Sequence, residues 1–139
     1  MNRAIIGLGL MGLIGCGSSG GGPGTSQPTI HTLDSGSGQV PAGDALAIGP
    51  WPLPSGATVT YTIIDTPTGI GSDTMDFVVA SDAMVQAGVT TIAGYGVRNN
   101  VASTSATTET LPADVYDLVA ICHNIIDDCI FTATITAYY

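Results

Sequence analysis

Imidazole and carboxylate side chains near the C-terminus are the first groups in this sequence that could take part in chemistry. His123, Asp127 and Asp128 occur within one six-residue segment, and imidazole and carboxylate groups are competent metal ligands. With a single histidine there, the alternative interpretation is a polar tip of a hairpin, and this is the one we favour. We therefore assign no metal to this segment.

A second acidic group offers ligands for a hard cation. Asp65, Asp73 and Asp76 flank a segment rich in proline and glycine, and carboxylate oxygens on a loop can bind calcium. These residues lack the dense Asp-x-Asp-x-Asp-Gly spacing of a dedicated calcium loop. A solvated acidic loop is the interpretation we favour, so we predict no cofactor and keep calcium as an alternative.

Residues suited to catalysis are few. His31 and His123 are the two histidines, the chain has no lysine, and Gly-x-Ser-x-Gly does not occur, which leaves little for acid–base or covalent chemistry. Asp127 and Asp128 are adjacent, and neighbours on a strand point to opposite faces. Trp51 is either a ligand-stacking platform or, more commonly for such a residue, a core plug or sandwich-end lid. We predict that the protein is not an enzyme.

Composition narrows the class of protein further. The 139 residues include 11 acidic side chains against 2 arginines, for a net charge of −9. Two isolated cations cannot follow a phosphate track, so nucleic acid is excluded as a partner. Because 45% of the residues are hydrophobic and 9% are charged, the chain is too apolar to be disordered. We expect one folded domain.

Threonine alternates with apolar residues in the segments that must form this domain. Thr58 to Ile63 and Phe131 to Ala137 both have this period of two, which is typical of strands with one buried face. The same criterion predicts strands at 75–79 and 116–122, and further strands near 30–34, 45–49, 89–97 and 101–110. Turn residues fall at 41–44, 50–56, 67–71, 98–100 and 112–114. Seven to eight short strands, with no helical repeat, predict an all-β antiparallel sandwich or jelly roll.

The N-terminus has the composition of an export signal. Arg3 precedes a short apolar stretch, which ends in Leu13-Ile14-Gly15-Cys16. These four residues resemble the lipobox of bacterial lipoproteins. The resemblance implies that residues 1–15 are a signal peptide and that Cys16 carries lipid, which would anchor the protein to a membrane without spanning it. In that family an Asp after the cysteine marks retention at the inner membrane, so Gly17 favours the outer membrane.

A linker and a domain follow Cys16. Residues 17–28 are almost entirely Gly, Ser, Pro and Thr, so 16–28 is predicted to be a lipidated cysteine with a flexible linker that holds the domain about 20 Å from the lipid surface. The sandwich domain is predicted to occupy residues 29–139. Without residues 1–15, one cation remains beside 11 acids, and the net charge becomes −10.

A second resemblance concerns the domain itself. Gln39-Val40-Pro41-Ala42-Gly43, Leu53-Pro54-Ser55-Gly56 and Leu111-Pro112-Ala113-Asp114-Val115-Tyr116 are similar to the pattern of pre-peptidase C-terminal domains and related jelly-roll modules. The family usually has Gly at the position of Asp114, and Asp tolerates a left-handed backbone better than most residues. The resemblance spans roughly residues 38 to 139 and implies a fold more than a function.

Two cysteines remain once Cys16 is assigned to lipid. Cys122 and Cys129 form an even pair in a chain predicted to be exported, so we predict a disulfide. We expect them to face each other across a hairpin between the last two strands, where the bond would pin the strand register. A metal or redox pair is the alternative, with few further ligands nearby.

The leading functional hypothesis is therefore a non-catalytic lipoprotein of the cell envelope that serves as a binding, adhesion or structural module. A calcium- or carbohydrate-binding accessory domain for a separate secreted enzyme is the alternative. The partner at the envelope, a protein or a glycan, is left open.

Overall fold

The computed structural model describes residues 2–3, 27–67, 74–88 and 93–139, which form nine strands and one short helix. The elements are β1 (Asn2–Arg3), β2 (Ile30–Val40), β3 (Ala45–Leu53), β4 (Thr58–Asp65), β5 (Met75–Ser81), α1 (Asp82–Gln86), β6 (Tyr95–Val101), β7 (Thr104–Thr107), β8 (Asp114–Cys122) and β9 (Cys129–Tyr138).

Eight of these strands form two four-stranded antiparallel sheets packed face to face. One sheet has the order β3-β8-β5-β6 and the other has the order β2-β9-β4-β7, while the two-residue β1 adds parallel to the β3 edge. All consecutive strands from β2 to β9 lie in opposite sheets, except β5 and β6. This connectivity is that of an eight-stranded jelly roll, so the predicted fold class is confirmed.

The alternation of threonine with apolar residues sets which face of each strand is buried. On β4, Val59, Tyr61 and Ile63 are buried between the sheets, whereas Thr62 is exposed on the outer face. The hydroxyl of Thr62 lies 3.1 Å from that of Ser105 on β7. This period of two is what a half-buried strand requires, and the inward side chains of both sheets form the main core.

The sandwich has two ends with different components. The linker region enters at Thr29, whose backbone exchanges hydrogen bonds with Tyr139; we call this the tether end. Residues 41–44, 102–103 and 123–128 connect strands at the opposite end, which we call the loop end. The ten residues of β9 run between them, a separation of about 30 Å.

Several predicted boundaries were wrong. A turn was predicted at 50–56, but β3 continues to Leu53 and the turn is confined to the last residues of that range. The strand continues because, after a register shift between Ile48 and Trp51, β3 pairs with β8 again. The turn predicted at 98–100 is an irregular part of β6, where Asn100 has a positive φ of 55°. The strand predicted at 30–34 extends to Val40, since a bulge after Thr32 restores its register with β9.

The five-residue α1 was also not predicted. It follows β5 directly and packs Val85 against the outer face of the sheet formed by β3, β8, β5 and β6. A single turn of this kind is too short to produce a recognisable helical repeat. Within the described ranges, no helix is long and apolar enough to cross a membrane.

Candidate binding surface

The Cys122–Cys129 disulfide joins the two sheets at the loop end. The bond is present, with Cα atoms 5.8 Å apart, which confirms the predicted pairing. The predicted hairpin was wrong, because β8 pairs with β3 and β5 whereas β9 pairs with β2 and β4. Residues 123–128, which we call the disulfide loop, therefore cross from one sheet to the other, and the bond does not set a register between paired strands.

Hydrogen bonds hold both ends of the disulfide loop to neighbouring segments. At its start, His123 donates its backbone N–H to Thr74 O at 3.0 Å, and its Nε2 lies 2.8 Å from Asp76 Oδ1. At its end, Asp128 Oδ1 accepts from the Ala42 amide at 3.0 Å, and Oδ2 accepts from Gln39 Nε2 at 2.6 Å. The base of the loop is thus fixed to two other segments of the loop end, residues 39–42 and 74–76.

Asn124 shapes the tip of the loop. Its Oδ1 accepts hydrogen bonds from the amides of Ile126 at 3.0 Å and Asp127 at 3.2 Å, an arrangement typical of Asx turns. Its carbonyl accepts from the Gly43 amide at 2.7 Å. The turn directs Ile125 and Ile126 outward, with 84% and 82% of their surface exposed. Two adjacent aliphatic side chains are thereby presented on a covalently closed, hydrogen-bonded loop.

Of the candidate calcium ligands, Asp65 and Asp76 lie in different sheets. Asp65 ends β4 in one sheet, and its amide donates to Ser103 Oγ at 2.9 Å. Asp76 lies on β5 in the other sheet, where it faces His123 and accepts from the Asn100 amide at 2.7 Å. Asp73 lies outside the described residues.

Asp127 and Asp128 differ in their surroundings. Asp127 is exposed at the tip of the disulfide loop, whereas Asp128 is half-buried against Gln39 and Ala42. Among the residues that the structure describes, no three His, Cys, Asp or Glu side chains are grouped closely enough to hold a metal ion.

Acidic side chains nevertheless concentrate at the loop end as separate groups. Five of the described acids lie on the strand ends and turns there: Asp44, Asp65, Asp76, Asp127 and Asp128. The guanidinium of Arg98, on β6, donates to its neighbour's carbonyl, Val97 O, at 2.8 Å. The two isoleucines therefore share the disulfide loop with Asp127 and Asp128, at an end of the sandwich where three further acids lie.

A cleft at the tether end of the sandwich is the second candidate site. Its volume is about 390 Å³ and its walls include Met84, Tyr95 and Tyr116, with Asp114 at its edge. The two tyrosine rings meet edge to face at 6.1 Å, and Tyr116 Oη donates to Pro112 O at 2.9 Å. Burial raises the pKa of Tyr116, and Tyr95 and Asp114 act in the same direction.

The turn before β8 differs from the expectation in one respect. Asp114 does not use a left-handed backbone; Asn100 is the non-glycine residue with positive φ in the described ranges. Instead, Asp114 begins β8 and its Oδ1 accepts from the Val115 amide at 2.8 Å. Tyr116 follows in the penultimate strand and closes the turn through its bond to Pro112.

Trp51 and His31, which the sequence analysis also singled out, lie away from the disulfide loop. Trp51 is half-buried on β3 and packs against the main core. His31 is at the tether end, where its ring stacks on that of Tyr139 at 4.2 Å. Cys16 lies outside the described residues, so its lipidation stays a prediction.

Sequence reasoning did not identify Ile125 and Ile126 as a binding feature. The sequence does contain a signal that could have identified them. Ile125 and Ile126 are consecutive β-branched residues between polar neighbours in a predicted hairpin tip, and such residues fit poorly in tight turns. Their exposure depends on the loop crossing between sheets, which local sequence does not specify.

Comparison with known proteins gives distant structural likenesses only. No protein-family model and no curated sequence matches the chain. The periplasmic inhibitor of g-type lysozyme PliG from Aeromonas hydrophila is 13% identical, with a TM-score of 0.42, and the match covers 83% of this chain and 89% of that one. A chain of the capsid of Helicobacter pylori bacteriophage KHP30 is 16% identical, with a TM-score of 0.39 over 81% of this chain and 83% of that one. Likenesses this distant carry no functional inference.

Proposed function

We propose that this protein is a non-catalytic binding module of the cell envelope, anchored through lipid on Cys16 and presented by the linker 17–28. The lipobox and its preceding apolar stretch support the anchor. The linker enters the sandwich at the tether end, so the disulfide loop lies about 30 Å from the point where the linker joins the domain. Such a lipoprotein would present the disulfide loop outward, and Gly17 favours the outer membrane as its location.

The exposure of Ile125 and Ile126 is the observation that carries the proposal. Each leaves more than four-fifths of its surface in water, and burying one such side chain in a partner contributes about 1.5–3 kcal/mol. The disulfide and the hydrogen bonds of Asn124 already restrict the loop, so little ordering entropy opposes binding. The proposed contact surface is therefore the tip of the disulfide loop.

Photocrosslinking in intact native cells tests this proposal. We would place benzoylphenylalanine at position 125 of the full chain and, as the matched control, at Thr134, which is exposed on the outer face of β9. We expect a discrete adduct from position 125 and none from position 134. No adduct at position 125, or equal adducts at both positions, would contradict binding through the loop.

The cleft favours a second candidate function, that of a carbohydrate-binding accessory domain. Aromatic walls with a carboxylate at the edge are a common lining of small-ligand sites, and Tyr95, Tyr116 and Asp114 supply them here. Titration of the protein with soluble envelope and plant-wall oligosaccharides tests this candidate by NMR. Shifts confined to the cleft, abolished by Tyr95→Ala, would support it, whereas unchanged spectra would argue against it.

A further inference from the structure

We infer that the partner of the disulfide loop is a protein with an apolar pocket bordered by lysine or arginine side chains. This inference rests on the proposed function and names the class of partner. The apolar part of the contact comes from Ile125 and Ile126, and the electrostatic part comes from the exposed Asp127 and the other acidic residues of the loop end.

The positions of the carboxylates at the loop end support lysine or arginine side chains around the partner's pocket. Asp127 follows the isoleucines directly and is exposed, so a pocket that receives Ile126 must also meet this carboxylate. Asp44 directly precedes β3, and Asp76 is the second residue of β5, where it faces His123 at the start of the loop. A cationic surface around the pocket would complement this field, accelerate encounter and fix the orientation of the loop.

A lipid bilayer fits the same surface poorly. Insertion of Ile125 and Ile126 would carry the Asp127 carboxylate towards the headgroups, and anionic leaflets repel negative charge. The loop end is also the end of the sandwich opposite the point where the linker enters.

A second copy of the chain fits poorly as well. Symmetric contact between two disulfide loops would place their carboxylates against each other, and like-charge contact costs several kcal/mol. A contact with another face meets little positive charge, since Arg98 is the one Lys or Arg residue after the predicted signal peptide. The cations must therefore come from a different protein.

The test uses the position-125 crosslinker in the full chain together with charge variants. Asp127→Lys should lower the adduct yield about tenfold, whereas Glu109→Lys, an identical charge change at an exposed residue of the tether end, should leave it within about twofold. In isolated envelopes, raising NaCl from about 0.05 to about 0.5 M should also lower the yield, because screening weakens contacts between exposed charges. Mass spectrometry should place the adduct on a protein segment with Lys or Arg beside it.

The outcomes separate this inference from the proposed function. An adduct whose yield is the same in Asp127→Lys and in the unmodified protein would overturn the cationic border while leaving loop-mediated binding intact. An adduct to lipid or to a second copy of the chain would likewise overturn it. The Cys16→Ser protein, which has no lipid anchor, should not sediment with phosphatidylcholine/phosphatidylglycerol vesicles. Sedimentation that requires Ile125 and Ile126 would show that the loop binds lipid and would overturn the inference. If no adduct forms from position 125 at all, it is the proposed function that fails.

Discussion

Cys122 is the last residue of β8 in one sheet, Cys129 is the first residue of β9 in the other, and their disulfide spans Cα atoms 5.8 Å apart. Both residues are buried in the main core. The bond therefore fastens the two layers of the sandwich where the disulfide loop leaves it, and it couples the stability of the core to the geometry of the exposed tip.

Removal of this bond should destabilise the domain. The double substitution Cys122→Ser/Cys129→Ser should lower the free energy of unfolding by about 2.5 kcal/mol on the chain-entropy account of an eight-residue loop, with an added cost for hydroxyls in an apolar site. Urea unfolding followed by circular dichroism measures the change. Reduction of the unmodified protein should reproduce most of the loss, and an unchanged unfolding midpoint in both experiments would contradict the prediction.

The jelly-roll strands were largely predictable, but their pairing around the last connection was not. Alternation in 58–63 and 131–137 identified β4 and β9 and the buried face of each. A six-residue connection between Cys122 and Cys129, however, is compatible with both a hairpin and a crossover between sheets. The choice depends on which partners β8 and β9 find elsewhere, and those partners are distant in sequence.

The candidate site was predictable only in part for the same reason. The cysteine pair follows from residue types, whereas the cluster of acids at the loop end depends on which strand ends the topology gathers there. Asp128, for example, accepts a hydrogen bond from the amide of Ala42, 86 residues earlier in the chain, in the turn that also contains Asp44.

Gly38 on β2 offers a test of the close packing between this strand and Phe131 on β9. A Cβ at this position would lie 2.5 Å from Phe131 Cζ, and Phe131 is fully buried. Gly38→Ala should therefore destabilise the domain by about 1–3 kcal/mol through overpacking. Ser37→Ala, at the adjacent exposed position, should change stability by less than about 0.5 kcal/mol. Equal unfolding midpoints for the two variants would contradict this packing.

Lipidation at Cys16 can be separated from folding. Cys16→Ser should abolish metabolic palmitate labelling and partitioning into detergent, because the acyl chains supply the membrane affinity. The thermal unfolding of the domain should not change, since the linker 17–28 separates the lipidated residue from the sandwich. Gly17→Ala is a suitable control that should keep the label. Continued membrane association of the Cys16→Ser protein would contradict the lipoprotein assignment.

Tyr61 should make the fold sensitive to alkaline pH. Its hydroxyl donates to Gly96 O, and burial raises its pKa from 10.0 to about 12, although Arg98 partly opposes this shift. Between these two values the unfolded chain has lost the phenolic proton while the native protein retains it. The native state then binds more protons, so the stability that Tyr61 contributes should be complete below pH 10 and decline as the pH rises towards 12.

Urea unfolding at a series of alkaline pH values measures this decline, with Tyr61→Phe as the control because it keeps the ring and has no titrating hydroxyl. The variant should be less stable than the unmodified protein at neutral pH by about 1 kcal/mol, from loss of the hydrogen bond to Gly96. That difference should shrink above pH 10. Tyr116, whose pKa is also raised, is present in both proteins, so its contribution cancels in the comparison. Parallel stability curves for the two proteins across this range would show that Tyr61 does not titrate as its burial requires.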